Sequence, residues 1–324
     1  MTRSLHNEWC AAPSYTEEVY CMSPDPTTRI RFDDQVAIVT GAGGGLGRTY
    51  ALALAERGAR VLVNDLGCAR DGTGSSPAAA EAVAAEICAA GGQALANCES
   101  VATPEGGERI VQAALQAYGR VDILINNAGI IRDKTFPRMT PEMWSEVIAV
   151  HLDGAHNVTR PAFLAMRDQN YGRIVCITSS AGLFGNFGQV NYGAAKMGLV
   201  GLMNCLRLEG ERYNINVNCV APLALTRINE EIIPEGMQAS LKPEYVTPLV
   251  LYLCARDSST TGGIFSAAMG SFSRTVLVTS PAIRIHESGQ IPTVEEIAGQ
   301  WHQINTIGDQ VFNDAMSALF VMAP

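Results

Sequence analysis

Short apolar runs alternate with longer helical stretches over most of this chain, from Gln35 to about Gly263. The runs are rich in β-branched residues and are bounded by glycine and polar residues, which is typical of buried strands. Strict alternation of strand and helix predicts an α/β fold built on a doubly wound, parallel, seven-stranded sheet. We predict strands at 35–40, 60–65, 94–98, 121–126, 173–178, 215–220 and 263–266, and helices at 47–57, 77–90, 105–118, 141–169, 191–212 and 243–255.

The two ends of the chain do not follow this pattern. Residues 1–33 have mixed charge and no periodicity, and Met22 begins a segment that resembles a second translation start. We expect 1–33 to be a disordered N-terminal extension, 34–270 to form one domain, and 271–324 to be a C-terminal extension. In the last segment, Thr293 precedes Val-Glu-Glu-Ile-Ala and is expected to cap a short helix.

Composition narrows the classes of partner. The net charge is −9 and 47% of the residues are hydrophobic, which argues against nucleic acid or an anionic membrane as partner. An anionic substrate remains compatible with this charge if a local arginine patch receives it. Nine cysteines are scattered without a Cys-x-x-Cys pair, as expected of reduced thiols in a cytoplasmic protein and not of a disulfide framework or a metal site. No apolar run reaches the roughly 20 residues of a membrane-spanning helix, and no signal-peptide pattern begins the chain.

A glycine-rich turn joins the first predicted strand to the first predicted helix. The segment Gly-Ala-Gly-Gly-Gly-Leu-Gly occupies 41–47, and the second strand ends on Asp65. Glycines allow the backbone to approach a pyrophosphate, which the helix N-terminus attracts, and a carboxylate at this distance binds a ribose diol. A flexible glycine loop is the alternative, but the strand–turn–helix context favours a Rossmann dinucleotide site. Asp65 would repel a 2′-phosphate, so we expect NAD as the cofactor.

Tyr192 and Lys196 are four residues apart on a predicted helix, and Ser179 precedes the tyrosine by thirteen residues. The i,i+4 spacing places both side chains on one helix face. An ammonium beside a phenol favours the phenolate, so the tyrosine can act as a base closer to neutral pH. Taken alone, the pair is also compatible with a buried tyrosine beside a lysine that reaches to solvent.

These motifs, in this order, resemble the short-chain dehydrogenase/reductase family. The family's Thr-Gly-x-x-x-Gly-x-Gly corresponds to 40–47, its Asn-Asn-Ala-Gly to 126–129, and its serine and Tyr-x-x-x-Lys to Ser179 and 192–196. The resemblance covers about 35–270. Within the family, the segments at 63–67, 131–134, 185–199 and 241–246 are similar to the (3R)-hydroxyacyl-CoA dehydrogenase units of multifunctional enzymes of type 2, also called 17β-hydroxysteroid dehydrogenase type 4.

The resemblance implies roles for individual residues. Tyr192 would be the general base in oxidation, Lys196 would lower its pKa and hold the nicotinamide ribose, and Ser179 would orient the substrate oxygen. Phe184, Phe187 and Val190 are expected to form an apolar pocket wall, or alternatively to pack in the core. The implied cofactor-binding set is Gly41, Gly45, Leu46, Gly47, Asp65, Ser100, Val101, Asn127, Gly129, Tyr192, Lys196, Pro222 and Thr226.

Three positions depart from the common family pattern. His151 stands where most members have a catalytic asparagine; it is expected either to anchor a water that leads to Lys196 or to be a satisfied core imidazole. Pro222-Leu-Ala-Leu-Thr226 replaces the usual Pro-Gly segment over the nicotinamide, and Cys98-Glu99 replaces an aspartate beside the adenine. The first two departures suit the subgroup, and the third is conservative.

The function implied is NAD-dependent interconversion of a secondary alcohol and a ketone. The expected substrate is bulky and apolar, either a (3R)-3-hydroxyacyl-CoA or a 17β-hydroxysteroid such as estradiol. A 3-oxoacyl-thioester reductase of fatty-acid synthesis is an alternative that Asp65 disfavours, because such reductases use NADPH. A catalytically silent NAD-binding scaffold subunit is a second alternative, which the intact Ser179, Tyr192 and Lys196 argue against. We also expect a homodimer or homotetramer formed through the helices at 141–169 and 191–212.

Overall fold

The computed structural model describes residues 29–69, 72–224, 240–286 and 290–307 of the 324-residue chain. The chain divides into two compact units, one of which is Ile30–Thr275, while the other combines the chain up to Arg29 with the chain from Val276 onward. The first unit begins before the predicted boundary at 34 because Phe32 is fully buried. The backbone N–H of Phe32 donates to the carbonyl of Arg57 over 2.8 Å, which fixes this segment to the residue that ends the first helix.

One sheet organises the Ile30–Thr275 unit, with the strands in the order β3-β2-β1-β4-β5-β6-β7-β8. The first seven strands are parallel, which confirms the predicted doubly wound sheet. The strands are β1 (Val36–Thr40), β2 (Arg60–Asn64), β3 (Gln93–Asn97), β4 (Ile123–Asn126), β5 (Gly172–Ile177), β6 (Ile215–Leu223), β7 (Ile264–Ala268) and β8 (Ser271–Thr275).

Helices cover both faces of this sheet. Alternate residues of β1 point to opposite sides, so that Ala37 and Val39 join one buried cluster while Val36 and Ile38 join the other. The first cluster is closed by α1 (Gly45–Glu56), α2 (Ala78–Ala89) and α8 (Thr247–Cys254), and the second by α3 (Pro104–Tyr118), α5 (Gly154–Gln169) and α7 (Val190–Gly210). Two further helices are α4 (Pro141–Ile148) and α6 (Ser180–Phe184), of which α6 was not predicted.

An eighth strand extends the predicted sheet. β8 pairs antiparallel with β7 through a two-residue turn, Met269–Gly270, in which both residues have positive φ. Positive φ at both positions matches the right-handed twist of a hairpin. The sequence pattern did not reveal β8 because Ser-Phe-Ser-Arg-Thr is largely exposed and lacks an apolar run. The strand lies in the segment that we had expected to be a C-terminal extension, so the first unit continues to Thr275.

The helix predicted at 141–169 is interrupted. α4 ends at Ile148, residues Ala149–Asp153 form a π-helical segment, and α5 begins at Gly154. The hydrogen bonds of a π segment span one residue more than those of an α-helix, and such segments are frequently found at functional sites. Apolar periodicity continues through the segment, so sequence pattern alone did not indicate it.

The unit from Val276 onward contains two short helices, α9 (Val294–Gly299) and α10 (Trp301–Ile304). Thr293 caps α9 in a capping box, with its hydroxyl accepting from the N–H of Glu296 over 3.2 Å and the Glu296 carboxylate accepting from the N–H of Thr293 over 2.8 Å. The predicted N-cap is therefore confirmed. Among the described residues, the seven cysteines are free thiols, and no helix is both long and apolar enough to cross a membrane.

Candidate active site

A cleft of about 1160 Å³ lies at the carboxyl ends of the central strands. Its lining includes the residues that follow four of them, namely Gly41 after β1, Asp65 after β2, Asn127 after β4 and Thr178 after β5. The order of strands reverses between β1 and β4, and ligands of open α/β sheets bind at such a switch point. The predicted nucleotide and catalytic residues are thereby brought to one cavity.

Ser179 is placed by the start of α6. It is the N-cap of that helix, with an extended backbone, and its Oγ accepts a hydrogen bond from the N–H of Ala181 over 3.2 Å. The neighbouring Thr178 donates its hydroxyl to the carbonyl of Lys196 over 2.6 Å and so joins β5 to α7. Ser179 therefore faces the cleft from a position that two hydrogen bonds to the backbone hold in place.

Tyr192 lies in the first turn of α7 and lines the same cleft. Asn191 beside it is fully buried, and its amide Nδ2 donates to the carbonyls of Arg132, over 3.1 Å, and Met143, over 2.9 Å. The side-chain oxygen of Asn191 accepts from the N–H of Tyr192 over 2.8 Å. Sequence reasoning missed this residue, because its burial and its bonds to Arg132 and Met143 are set by the fold and not by a local pattern.

Lys196 lies one helical turn beyond Tyr192 and is buried. Its Nζ donates to the carbonyl of Ile177 over 2.5 Å and lies 5.5 Å from the centroid of the Tyr192 ring. Gly182 allows this approach, because a β-carbon there would lie 2.8 Å from Cβ of Lys196. The structure thus gathers Ser179, Tyr192 and Lys196 along one wall of the cleft, as the spacing in the sequence predicted.

The glycine turn is held by β4. Thr40 accepts hydrogen bonds at Oγ1 from the N–H groups of Asn127, over 3.0 Å, and Ala128, over 3.1 Å. In return, the Asn127 amide donates to the carbonyls of Thr40, over 2.9 Å, and Gly41, over 3.0 Å. Gly41 has a φ of 63°, and a β-carbon on it would lie 2.8 Å from Cα of Ala128, so only glycine fits. Asn127 therefore shapes the turn as well as lining the cleft.

Comparison with known proteins decides the family. A family model described as short chain dehydrogenase matches residues 35–235. The chain belongs to the short-chain dehydrogenase family. It is 48% identical over 288 residues to peroxisomal multifunctional enzyme A of Dictyostelium discoideum, covering 89% of this chain and 64% of that protein. It is also 48% identical over 274 residues to a short-chain type dehydrogenase/reductase of Mycobacterium tuberculosis, covering 85% of this chain and 95% of that protein.

A solved structure gives the same result. The full-length peroxisomal multifunctional enzyme type 2 of Drosophila melanogaster superposes with a TM-score of 0.74 at 36% identity, over 89% of this chain and 48% of that chain. This chain therefore spans about half of that structure and somewhat under two thirds of the Dictyostelium protein. Together with the family match, these relatives show that the chain is an oxidoreductase acting on CH–OH groups.

The electrostatics of this short-chain dehydrogenase differ from one sequence expectation. Burial raises the pKa of Tyr192 above its usual value, a hydrogen bond with the Ser179 hydroxyl opposes that rise, and the nearby Asp133 carboxylate adds to it. Burial also lowers the pKa of Lys196 to about 8. We expected the lysine to lower the tyrosine pKa, but its Nζ is bonded to Ile177 and the desolvation of the phenol dominates.

His151 occupies the π-helical segment and is buried behind the cleft. Its Nε2 lies 2.8 Å from the carbonyl oxygen and 3.1 Å from the backbone nitrogen of Ile130, and its ring meets the Tyr192 ring edge-on at 5.1 Å. Gly129 is required for this packing, because a β-carbon there would clash with the imidazole. Burial and the charge of Lys196 lower the pKa of His151 to about 3. The ring is thus a neutral brace between the backbone after β4 and the tyrosine.

Asp65 closes the far side of the glycine turn. Its two carboxylate oxygens accept from the N–H groups of Gly43, over 2.8 Å, and Gly67, over 2.7 Å. A carboxylate has about four acceptor sites, so capacity remains for a ribose diol. The N-cap of α1, Gly44, makes no side-chain cap bond, and the first-turn N–H groups are left for a pyrophosphate. These features fit the NAD(P) that members of this family use.

Most of the other predicted site residues line the cleft, and Gly47 is the exception among the catalytic and cofactor-binding residues that the structure describes. Gly47 does not line the cleft; it packs against the carbonyl of Gly41 and the Asn127 amide, where a β-carbon would not fit. Thr226 lies outside the described residues. Within the described part of the chain, no group of three His, Cys, Asp or Glu side chains is placed to hold a metal. The predicted residues that do line the cleft are Gly41, Gly45, Leu46, Asp65, Ser100, Val101, Asn127, Gly129, His151, Ser179, Tyr192, Lys196 and Pro222.

The expected apolar wall is only partly present. Phe184 lines the cleft, but Phe187 and Val190 do not. Phe187 is 89% exposed because it projects from the turn between α6 and α7. Ile130 and Ile131 line the cleft opposite this turn and supply apolar surface that sequence reasoning did not assign. The prediction for Phe187 and Val190 as wall residues was therefore wrong.

Proposed function

We propose that this short-chain dehydrogenase oxidises the 3-hydroxyl of (3R)-3-hydroxyacyl-CoA esters with NAD as the hydride acceptor. The observation that carries the proposal is the placement of Ser179, Tyr192 and Lys196 on the wall of the cleft whose other end holds Asp65 and the glycine turn. The acyl-CoA class is supported by the segments that resemble hydroxyacyl-CoA dehydrogenase units and by the multifunctional-enzyme relatives. The cytoplasmic location expected from the cysteine pattern stays a prediction.

The choice of NAD is supported by Asp65. Hydrogen bonds from Gly43 and Gly67 hold its carboxylate beside the turn, where an added 2′-phosphate would meet a negative charge. A bound nicotinamide would supply the acceptor for the hydride, and α1, Asp65, Asn127 and Lys196 would hold the nucleotide. This arrangement disfavours the alternative of an NADPH-dependent 3-oxoacyl-thioester reductase.

The side chains around the substrate oxygen perform the proton transfer. Ser179 hydrogen-bonds that oxygen and stabilises charge on it as the C–H bond breaks. Tyr192 takes the hydroxyl proton in oxidation and returns it in reduction. Burial raises the tyrosine pKa, so a cation is needed to make the phenol an effective base, and Lys196 is the charged group on the same helix face. Asn191 holds the backbone of Tyr192 and His151 packs edge-on against its ring, so both keep the phenol in position.

Substrate turnover distinguishes this proposal from its alternatives. Purified protein is incubated with NAD or NADP and with a (3R)-3-hydroxyacyl-CoA, its (3S) epimer, estradiol or a short secondary alcohol, and reduced cofactor is followed by absorbance. We expect the (3R)-hydroxyacyl-CoA with NAD to have the highest kcat/KM. Preference for estradiol would favour the steroid alternative, preference for NADP would favour the thioester reductase, and no turnover of any alcohol would favour a silent scaffold.

A further inference from the structure

Three hydrogen bonds join residues 132–134 to residues 188–191, which immediately precede the catalytic tyrosine. The buried Asn191 donates to the carbonyl of Arg132 over 3.1 Å. Next outward, the Gln189 amide donates to the Asp133 carboxylate over 2.7 Å. At the surface, the N–H of Lys134 donates to the carbonyl of Gly188 over 3.0 Å. The segment that begins at residue 132 therefore starts beside the buried residue that precedes Tyr192 and ends at the protein surface.

Two cations stand at the outer end of this segment. Lys134 and Arg138 are exposed, and neither side chain forms an ion pair with any residue in the part of the chain that the structure describes. By contrast, Arg132, which lines the cleft, is paired with Glu146 over 2.8 Å. The chain carries a net charge of −9 and only three lysines, among which are Lys134 and the catalytic Lys196. Lys134 follows Asp133, whose carboxylate is bonded to the cleft-lining Gln189, so these cations stand beside the cleft with no ion-pair partner among the described residues and run against the overall charge of the protein.

Exposed phenylalanines accompany the two cations. Phe136 is 70% exposed between Lys134 and Arg138, and Phe187, next to Gly188, is 89% exposed. A single exposed apolar residue needs no explanation, but these two phenylalanines lie on segments that the Lys134–Gly188 hydrogen bond joins, and neighbouring exposed apolar side chains mark a binding surface. In the short 3₁₀ turn Phe136–Arg138, the N–H of Arg138 donates to the carbonyl of Thr135 over 2.8 Å, which keeps Phe136 and Arg138 within one turn of each other.

We propose that Lys134, Phe136 and Arg138 form an outer subsite that binds the adenosine 3′,5′-bisphosphate end of a coenzyme A ester. This inference rests on the proposed function. With the hydroxyl of the acyl group at Tyr192, the phosphorylated end of the carrier must leave through the mouth of the cleft. Ammonium and guanidinium groups bind phosphates by charge-assisted hydrogen bonds, and a purine stacks on an aromatic ring. A steroid has neither phosphate nor purine, so this subsite selects the CoA ester.

The test compares two thioesters of the same acyl group. The variant Lys134→Ala/Arg138→Ala is assayed with a (3R)-3-hydroxyacyl-CoA and with the same acyl group on N-acetylcysteamine, which lacks phosphates and adenine. We expect KM for the CoA ester to rise about ten-fold, as loss of two phosphate contacts near a surface implies, while kcat and the kinetics of the short thioester stay unchanged. Arg212→Ala is the matched control, because Arg212 is exposed and lies between α7 and the amino end of β6, whereas the cleft lies at the carboxyl ends of the strands.

A second measurement probes the subsite without turnover. Adenosine 3′,5′-bisphosphate, added at saturating NAD, is expected to compete with the acyl-CoA in the wild-type protein and to inhibit the double variant more weakly. The inhibition should also weaken with added salt, because the contacts are between exposed charges. Phe136→Ala should reduce the inhibition as well, whereas Phe272→Ala, which removes an exposed phenylalanine from β8, should not.

Distinct outcomes separate the subsite from the function on which it rests. If the wild-type protein turns over both thioesters and the double variant has an unchanged KM for the CoA ester, the subsite is overturned alone. An equal rise in KM for both thioesters also overturns it, because the cations would then act on the acyl group or the fold. Turnover of estradiol but of neither thioester overturns the proposed function, and the subsite with it.

Discussion

The carboxylate of Asp65 accepts a hydrogen bond from the backbone N–H of Gly43 over 2.8 Å, across a glycine turn that no other residue type could form at this distance. A β-carbon on Gly43 would lie 2.8 Å from Cγ of Asp65. The acid that we propose to distinguish the two nicotinamide cofactors is therefore part of the glycine turn itself. On this proposal, cofactor choice and turn geometry are coupled through one side chain.

Replacing this acid is expected to change the cofactor preference. In Asp65→Asn the repulsion of a 2′-phosphate is lost and one acceptor for the ribose diol is replaced by a donor. We expect the ratio of kcat/KM for NAD to that for NADP to fall at least about ten-fold, the effect of roughly 1.4 kcal/mol. Asp168→Asn, at an exposed position on α5, is the control. A wild-type protein that already prefers NADP would contradict the assignment.

Loss of the phenol is expected to abolish turnover. Tyr192→Phe keeps the ring that packs edge-on against His151 but removes the proton carrier. We expect kcat to fall about 10²- to 10⁴-fold, the range that general acid–base catalysis supplies, while cofactor binding measured by fluorescence changes little. Tyr213→Phe, remote from the cleft, is the control. Retention of more than a tenth of wild-type kcat by a folded Tyr192→Phe protein would identify another group as the base.

The buried imidazole predicts a pH dependence of stability. His151 has a pKa of about 3 in the folded protein, below its usual 6.5, so below pH 6.5 the unfolded chain binds a proton that the folded chain does not. Stability is therefore lost as pH falls from 6.5 toward 3, and the His151 contribution is about 2 kcal/mol between pH 7 and pH 5.

This contribution is measured as a difference between variants. Denaturant unfolding of the wild type and of His151→Asn at pH 7 and pH 5 should show a smaller loss of free energy of unfolding in the variant. His156→Asn changes an exposed histidine on the neighbouring turn and should lose as much stability as the wild type. Equal losses in all three proteins would show that His151 titrates normally.

Self-association is predicted through α4–α5 and α7. Gly201 lies on the exposed face of α7, and a β-carbon there would meet no atom within 4 Å, so Gly201→Arg is tolerated by an isolated subunit. We expect light scattering to give at least twice the 34.5 kDa of one chain for the wild type, and a smaller assembly for Gly201→Arg. Gln112→Arg on the exposed face of α3 is the control. A wild-type mass near one chain would refute association, and a Gly201→Arg protein of wild-type mass would move the interface elsewhere.

The residues of the site that could be predicted are those for which the chemistry requires a residue type at a fixed spacing. The helical period was enough to predict that Tyr192 and Lys196 share one helix face. The length of a βα unit was enough to predict the position of Asp65. Asn191 and Thr40 could not be assigned in the same way, because their partners lie 48 to 87 residues away. Thr40 in particular acquires its role only when the sheet places β1 beside β4.

The fold was predictable to the same extent. Seven strands have apolar runs, and these runs located them in the sequence. β8 is exposed and has no such run, because it is stabilised by its pairing with β7 and by the turn at Met269–Gly270. The interruption of 141–169 was not predictable, since a π segment arises from how α4 and α5 pack and not from periodicity. The role of His151 as a brace follows from that interruption, so sequence reasoning could place the residue but not its contacts.

The π-helical segment Ala149–Asp153 also determines which insertions and deletions this chain tolerates. A π segment takes up about one residue more than an α-helix of the same span, so deletion of one residue here would let α4 and α5 join in one continuous α-helix. Insertion of one residue has a different effect, because each residue of an α-helix advances the chain by about 100° around the axis. Val147, fully buried at the end of α4, would then face away from its cluster. The chain should therefore tolerate the loss of a residue in this segment better than the gain of one.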